Sequence, residues 1–90
     1  MVSDDELKML KVRVTEKKVI IGARSVLRAL RTGSIGTIYL AKNCQAKMAD
    51  DIKAYAALVS VPIVQLDMDN EEFGVFCKKN YFISALALRI

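Results

Sequence analysis

Ninety residues with 53% apolar side chains and a net charge of +4 make one domain around a single core and exclude a disordered tail. No run approaches the roughly 20 apolar residues of a membrane span, and the acidic start Ser3-Asp4-Asp5-Glu6 is unlike a signal peptide; a soluble, cytoplasmic protein is expected. Histidine is absent, so the commonest general base is missing, and no phosphate loop, nucleophile elbow or paired-carboxylate motif replaces it, which argues against an enzyme.

Cys44 and Cys77 are the only cysteines. With no histidine to join them, a zinc site would need two carboxylates in place of the usual ligands, so neither metal nor cofactor is expected. The two read as reduced structural thiols, although spacing alone leaves a disulfide open.

In chain order, Ser3 or Asp4 can cap a first helix carrying Leu7, Leu10 and Val14 at helical spacing. Lys17-Lys18 closes it, and Val19 to Ile21 forms a first strand. Gly22 ends that apolar run and turns the chain into a helix from Ala23 to Thr32, stopped by Gly33. Arg24, Arg28 and Arg31 stand at i, i+4 and i+7 on one stripe, with Ala23, Val26, Leu27 and Leu30 on another side. The unpaired amides of the first turn attract anions, and arginine suits both a phosphate and the edge of guanine. A solvated helix face is the plainer reading of the same stripe.

Thr37 to Ala41 reads as a second strand, apolar enough for burial on both faces. A helix from Ala46 to Ser60 would bury Ile52, Tyr55 or Ala56, and Val59. Pro62 ends it and Ile63 to Leu66 makes a third strand. The turn-rich Asp67-Met68-Asp69-Asn70 leads into a short helix from Glu71 to Lys78, and Phe82 to Ile90 is a last, long strand. Strands alternating with helices give an α/β sandwich around one sheet. Ligands gather in such folds where strands hand over to helices. Gly22 to Ser25, Lys42-Asn43-Cys44 and Asp67 to Asn70 would meet there. Charge is polarised between these segments: residues 19–43 hold four cations and no acid, residues 67–72 four acids and no cation. Such a basic patch beside an acidic loop favours a defined RNA element over indiscriminate coating of a duplex.

These residues resemble the ribosomal protein L-thirty-e group, within the L-seven-Ae superfamily of kink-turn RNA-binding proteins, over about Val19 to Leu88. The likeness rests on Gly22-Ala23-Arg24-Ser25-Val26-Leu27-Arg28 followed by Gly33, on Asn43-Cys44, on Asp51-Ile52-Lys53-Ala54-Tyr55-Ala56, on Val61-Pro62-Ile63 and on Glu72-Phe73-Gly74. It implies a three-layer α/β/α sandwich around one mixed four-stranded sheet. The whole of residues 1–90 would be a single RNA-binding domain, monomeric, gripping a kink-turn of ribosomal RNA or of another ribonucleoprotein.

By the same resemblance Gly22 would let the protein backbone approach the RNA, with Ala23 also among the RNA-binding residues, and Arg24 would contact guanine at the tandem G·A step. Ser25 and Arg28 would reach nearby bases or phosphates, Lys42 and Asn43 would act from the end of the second strand, and Tyr81 would stack on an extruded base. Met68 and its loop backbone, rather than the neighbouring carboxylates, would approach the RNA. Departures from the family pattern are Gln45 for proline, Phe73 for leucine, Lys78 for glycine, Met48 for a basic residue, and the lack of a lysine in Ser34-Ile35-Gly36-Thr37. A protein-interaction module using the exposed face of the helix from Ala46 to Ser60 is the expectation from a different class.

Overall fold

The computed structural model describes residues 4–89. The elements run α1 (Asp4–Thr15), β1 (Val19–Ile21), α2 (Ala23–Thr32), β2 (Ile35–Leu40), α3 (Ala46–Leu58), β3 (Ile63–Gln65), α4 (Asn70–Phe76) and β4 (Ala85–Arg89). The strands form one mixed sheet of order β1-β4-β2-β3. β4 is antiparallel to both β1 and β2, while β2 and β3 are parallel.

Alternation along the strands divides the apolar residues into two cores. Ile38 and Leu40 of β2 and Ala85 and Ala87 of β4 face Val26, Ala29 and Leu30 of α2 and Ala49, Ile52 and Ala56 of α3. Tyr39 and Leu86 point the other way, onto Leu10 and Val14 of α1 and Phe73 and Cys77 around α4. The sheet is therefore covered on both faces, as the apolar run of β2 requires, and the expected three-layer sandwich is present. Tyr39 also donates its hydroxyl to Glu6 Oε1 at 3.3 Å, tying α1 to the sheet.

β1 and α2 have the boundaries expected of them, and several others shift for identifiable reasons. The cap foreseen at Ser3 or Asp4 lies outside the described residues and side chains. β2 starts at Ile35, ahead of the expected Thr37. The ladder to β4 continues across a bulge between Ile35 and Thr37. α3 ends at Leu58, two residues short. The chain reverses through Ser60 at φ 58, and Val61 N–H bonds back to Ala56 O at 2.9 Å. Val59 is consequently 42% exposed instead of buried, and Val61 packs on the core in its place. Of the two alternatives in mid-helix, Ala56 is the fully buried one.

β3 stops at Gln65, one residue early, although Leu66 is buried and donates its N–H to Leu40 O at 2.9 Å. β4 begins only at Ala85. Ile83 N–H is taken by Asn70 O at 3.0 Å and Ser84 O by Ala41 N–H at 2.9 Å, so this stretch docks on loops before it joins the ladder. Ile90 lies outside the described residues.

α4 starts at Asn70 and closes at Phe76. At its front Asp69 Oδ1 accepts Glu72 N–H at 2.8 Å and Glu72 Oε1 accepts Asp69 N–H at 3.1 Å, a reciprocal capping box. At its back Lys78 N–H bonds to Val75 O at 3.0 Å and Lys79 N–H to Gly74 O at 2.9 Å, with Lys78 left-handed at φ 58. This is a Schellman ending, in which glycine is the usual occupant of the left-handed position.

Candidate nucleic-acid interface

Because β4 runs against β1 and β2, one end of the sheet collects the C-termini of β1, β2 and β3 and the N-terminus of β4. The three segments expected to meet do so at this rim. Lys42 N–H donates to Met68 O at 2.8 Å. Asn43 Oδ1 accepts Asn70 N–H at 2.8 Å, and Asn43 Nδ2 donates to Asn70 Oδ1 at 3.1 Å. Asn70 O in turn accepts Ile83 N–H. The Asn43–Asn70 pair thus fastens the loops after β2 and β3 to the segment that enters β4.

On the other side of the rim, Gly22, Ala23, Arg24 and Ser25 line a cleft of about 360 Å³ with Cys44, Gln45, Met48 and Ser84. Gly22 donates its N–H to Ala85 O at 2.9 Å, closing the ladder, and caps α2 at φ 103 and ψ 138. A Cβ there would meet nothing nearer than Ser25 Oγ at 4.0 Å. Conformation rather than crowding therefore calls for glycine, and the space above it is open to a ligand. Gly22 offers no side chain to the first turn of α2, which also contains no acid; the amides of Ala23, Arg24 and Ser25 have no partner within the helix.

α3 begins at the same cleft in the same state. Its cap, Gln45, makes no side-chain bond to the helix, and its first turn holds no acid. Two uncapped helix N-termini therefore border one cleft, an arrangement suited to a polyanion. α4, which starts nearby, is satisfied by its own capping box and by Asn43. Asp69 and Glu72 thus serve α4 directly.

Arg24 and Arg28 are exposed and make no ion pair among the described residues. Arg31 lies 5.9 Å from the centre of the Tyr55 ring, which draws it toward α3. Ser25 is exposed and Ala23 packs partly on the core. The Lys42 side chain is exposed. Met68 turns its side chain partly onto the second core, and its carbonyl is taken by Lys42 N–H. Tyr81 does not line the cleft. It sits in the loop before β4, half exposed, beside Glu71, Val75, Lys79 and Phe82. The strand expected from Phe82 begins only at Ala85, so Tyr81 stands four residues ahead of the ladder.

Burial raises the Cys44 thiol above its ordinary range, against the opposing pull of Lys53, so the cleft holds a protonated thiol. Cys44 and Cys77 are both free and pack on opposite faces of the sheet, too far apart in the fold for a disulfide. No group of three or more potential metal ligands occurs among the described residues. Cys44 and Asn70 belong to segments expected at the rim, although neither is among the expected RNA-binding residues, whereas Gln45, Met48 and Ser84 join it with no signal of their own in the sequence.

The chain matches the model of the ribosomal protein L7Ae/L30e/S12e/Gadd45 family over residues 5–89. It belongs to that family. Relatives include the large ribosomal subunit protein eL30 of Sulfurisphaera tokodaii, 28% identical over 88% of this chain and 74% of that protein. The eL30 of Pyrobaculum calidifontis is 35% identical over 88% and 78%. Among solved structures, the 15.5kD RNA binding protein of Giardia lamblia superposes with a TM-score of 0.77 at 15% identity, covering 93% of this chain and 70% of that one.

Two departures from the family pattern have a geometric reading. Gln45 has φ −53 and ψ 130, a backbone that proline adopts without strain. Lys78 occupies the left-handed position that favours glycine. At both positions the backbone is one that the replaced residue type adopts readily.

Proposed function

We propose that this protein is a non-catalytic RNA-binding protein of the L30e type, which recognises a kink-turn and works within the large ribosomal subunit. The observation that carries the reading is the cleft where the uncapped N-termini of α2 and α3 meet beneath Arg24, in a chain that belongs to a ribosomal protein family along nearly all its length. The eL30 proteins it resembles are large-subunit proteins by name, and the family supports a role without catalysis.

In this reading the whole chain acts as one domain and as a monomer, in the cytoplasm with the ribosomes. No helix among the described residues is long and apolar enough to cross a membrane. Gly22 admits the RNA backbone to the amides of α2, Arg24 reads a guanine edge at the tandem G·A step, and Ser25, Arg28 and Lys42 hold nearby phosphates. Tyr81, standing apart on the α4 side of the rim, stacks on a base turned out of the helix. Binding only the bent form draws the RNA population out of its extended form.

Ala23 and Met68 shape the surface with backbone, and Asn43 positions the loops as well as facing the RNA. The interaction-module reading gains little from α3. The exposed residues there include Lys47, Asp50, Asp51 and Lys53, with Leu58 its one large exposed apolar side chain.

The test is a titration of labelled kink-turn RNA against a control whose tandem G·A pairs are replaced by Watson–Crick pairs, at about 0.15 M salt to screen nonspecific attraction. Tight binding to the kink-turn alone is expected, with Arg24→Ala weakening it by roughly 1–3 kcal/mol. Equal weak binding to both RNAs would refute the reading.

A further inference from the structure

Among the described residues β1 pairs with β4 alone, which makes it an edge strand. Gly22 N–H bonds to Ala85 O and Arg89 N–H to Lys18 O, and Ile20 stands opposite Ala87 between them. In an antiparallel ladder hydrogen-bonded and non-bonded pairs alternate. Ile20 therefore turns its main chain toward β4, while Val19 and Ile21 aim their N–H and C=O groups at the open edge. These two outward sets lie about 6.6 Å apart, two residues of strand rise.

The open edge forms one wall of a groove of about 480 Å³, and α2 forms the other through Ser25, Arg28, Ala29 and Thr32. Arg89 and Ser34 close its far end, and no acidic side chain among the described residues lines it. Arg28 and Arg89 come from different elements, and neither makes an ion pair among the described residues. Thr32 donates its hydroxyl to Ala29 O at 2.9 Å, which leaves Ser34 to donate to Thr32 across 3.0 Å. That pair fixes the turn after α2, so the free polar groups of the groove are the two guanidiniums, Ser25 and the strand edge. Ser25 lines both this groove and the rim cleft, so the two surfaces are continuous.

We propose that this groove is a second RNA contact, in which the sugar–phosphate backbone of a helical stem leaving the kink runs along the β1 edge between Arg28 and Arg89. The proposal rests on the RNA-binding reading above and extends the interface from the rim to the last residue of β4. An RNA backbone supplies phosphate acceptors for the guanidiniums and the outward N–H groups. It also supplies 2′-hydroxyl donors for the outward carbonyls. A second copy of this chain would instead bring further guanidiniums to a groove whose described lining offers no acid. An acidic peptide added as a further strand would use the same edge, but it has no reason to be continuous with the rim cleft.

The experiment compares two kink-turn RNAs, one with full-length stems and one whose stems are cut back to the pairs flanking the kink, each titrated across a salt series. The proteins are the full chain, Arg89→Gln, and Arg13→Gln as a control on exposed α1. Expected for Arg89→Gln is a roughly threefold to tenfold loss of affinity for the long-stem RNA. The slope of log affinity against log salt should fall by about 1, the signature of one lost phosphate contact. The short-stem RNA and Arg13→Gln should show neither effect.

Equal behaviour of Arg89→Gln and the full chain on the long-stem RNA, with kink-turn preference intact, would overturn the groove and leave the rim standing. Displacement of the RNA by an acidic extended peptide, without dependence on stem length, would overturn it in favour of strand addition. Loss of kink-turn preference by the full chain itself would instead refute the underlying function.

Discussion

Asn43→Ala separates two roles that the same residue is asked to play. The amide makes two hydrogen bonds to Asn70, at 2.8 and 3.1 Å, and one of them satisfies the first amide of α4. A net hydrogen bond contributes about 0.5–1.5 kcal/mol, and loss of a helix cap costs about 0.5–2 kcal/mol. Water reaches this exposed pair, which places the expected loss at the low end for each bond, roughly 1–2 kcal/mol together. For a domain of this size that is a fall in Tm of about 5–10 °C. The assay is urea unfolding of Asn43→Ala, Asn70→Ala and the double variant, each followed by titration with kink-turn RNA. A clamp predicts a coupling of about 1 kcal/mol in stability, with affinity falling in all three variants because the loops of the rim loosen together. A tenfold loss of affinity in Asn43→Ala alone, with stability unchanged and no coupling to Asn70, would refute the clamp and make the amide a direct RNA contact.

Gly74→Ala should destabilise the fold by about 1–3 kcal/mol, the usual size of an overpacking strain, because a Cβ there runs into the Tyr81 carbonyl. Unfolding in urea measures it, and an unchanged midpoint would mean that the loop yields freely. Cys77 links stability to alkaline pH. Burial holds its thiol up to about 11 in the folded chain, against a smaller pull from Lys79, whereas an unfolded thiol ionises near 8.5. Between about 8.5 and 11 the unfolded chain carries fewer protons, so stability falls as pH rises through that window. Cys77→Ala should be less stable at pH 7 but lose less between pH 8 and 10. Parallel pH profiles for the two proteins would contradict the assignment.

What the sequence revealed and what it hid follow from the range of the interactions involved. β1, Gly22 and α2 were legible to the residue, since a β-branched run, a glycine and a 3.6-residue apolar stripe are local signals. Helix endings were blurred because Lys17, Ser60 and Lys78 take the left-handed conformation without being glycine, and nothing in their identity announces it. The start of β4 was misplaced because Phe82 to Ser84 is apolar enough for a strand but is claimed by Asn70 and Ala41. The meeting of Gly22 with Cys44 is legible from the order of strands and helices, whereas Ser84 reaches their cleft from the loop before β4, which only the strand order places there. The Asn43–Asn70 pair spans 27 residues, a separation at which no local pattern operates.

The unequal treatment of the helix starts at this rim allows function to be separated from folding. α4 is closed by Asp69, Glu72 and Asn43, whereas α2 and α3 keep open N-termini beside Arg24. An open N-terminus forgoes the roughly 0.3–1 kcal/mol that an acid in the first turn supplies, a cost that proteins accept at functional sites. Ser25 occupies the third helical position of α2 and is exposed, so Ser25→Glu can restore that stabilisation without disturbing the core. The glutamate would also neutralise the field into which a phosphate descends and would set a negative charge between Arg24 and Arg28. Stability should therefore rise by a few tenths to about 1 kcal/mol while affinity for kink-turn RNA falls at least tenfold. Opposite signs in the two measurements are what an anion site built on uncapped helix ends requires. A variant that gained stability and kept its affinity would show that the RNA does not use the N-terminus of α2.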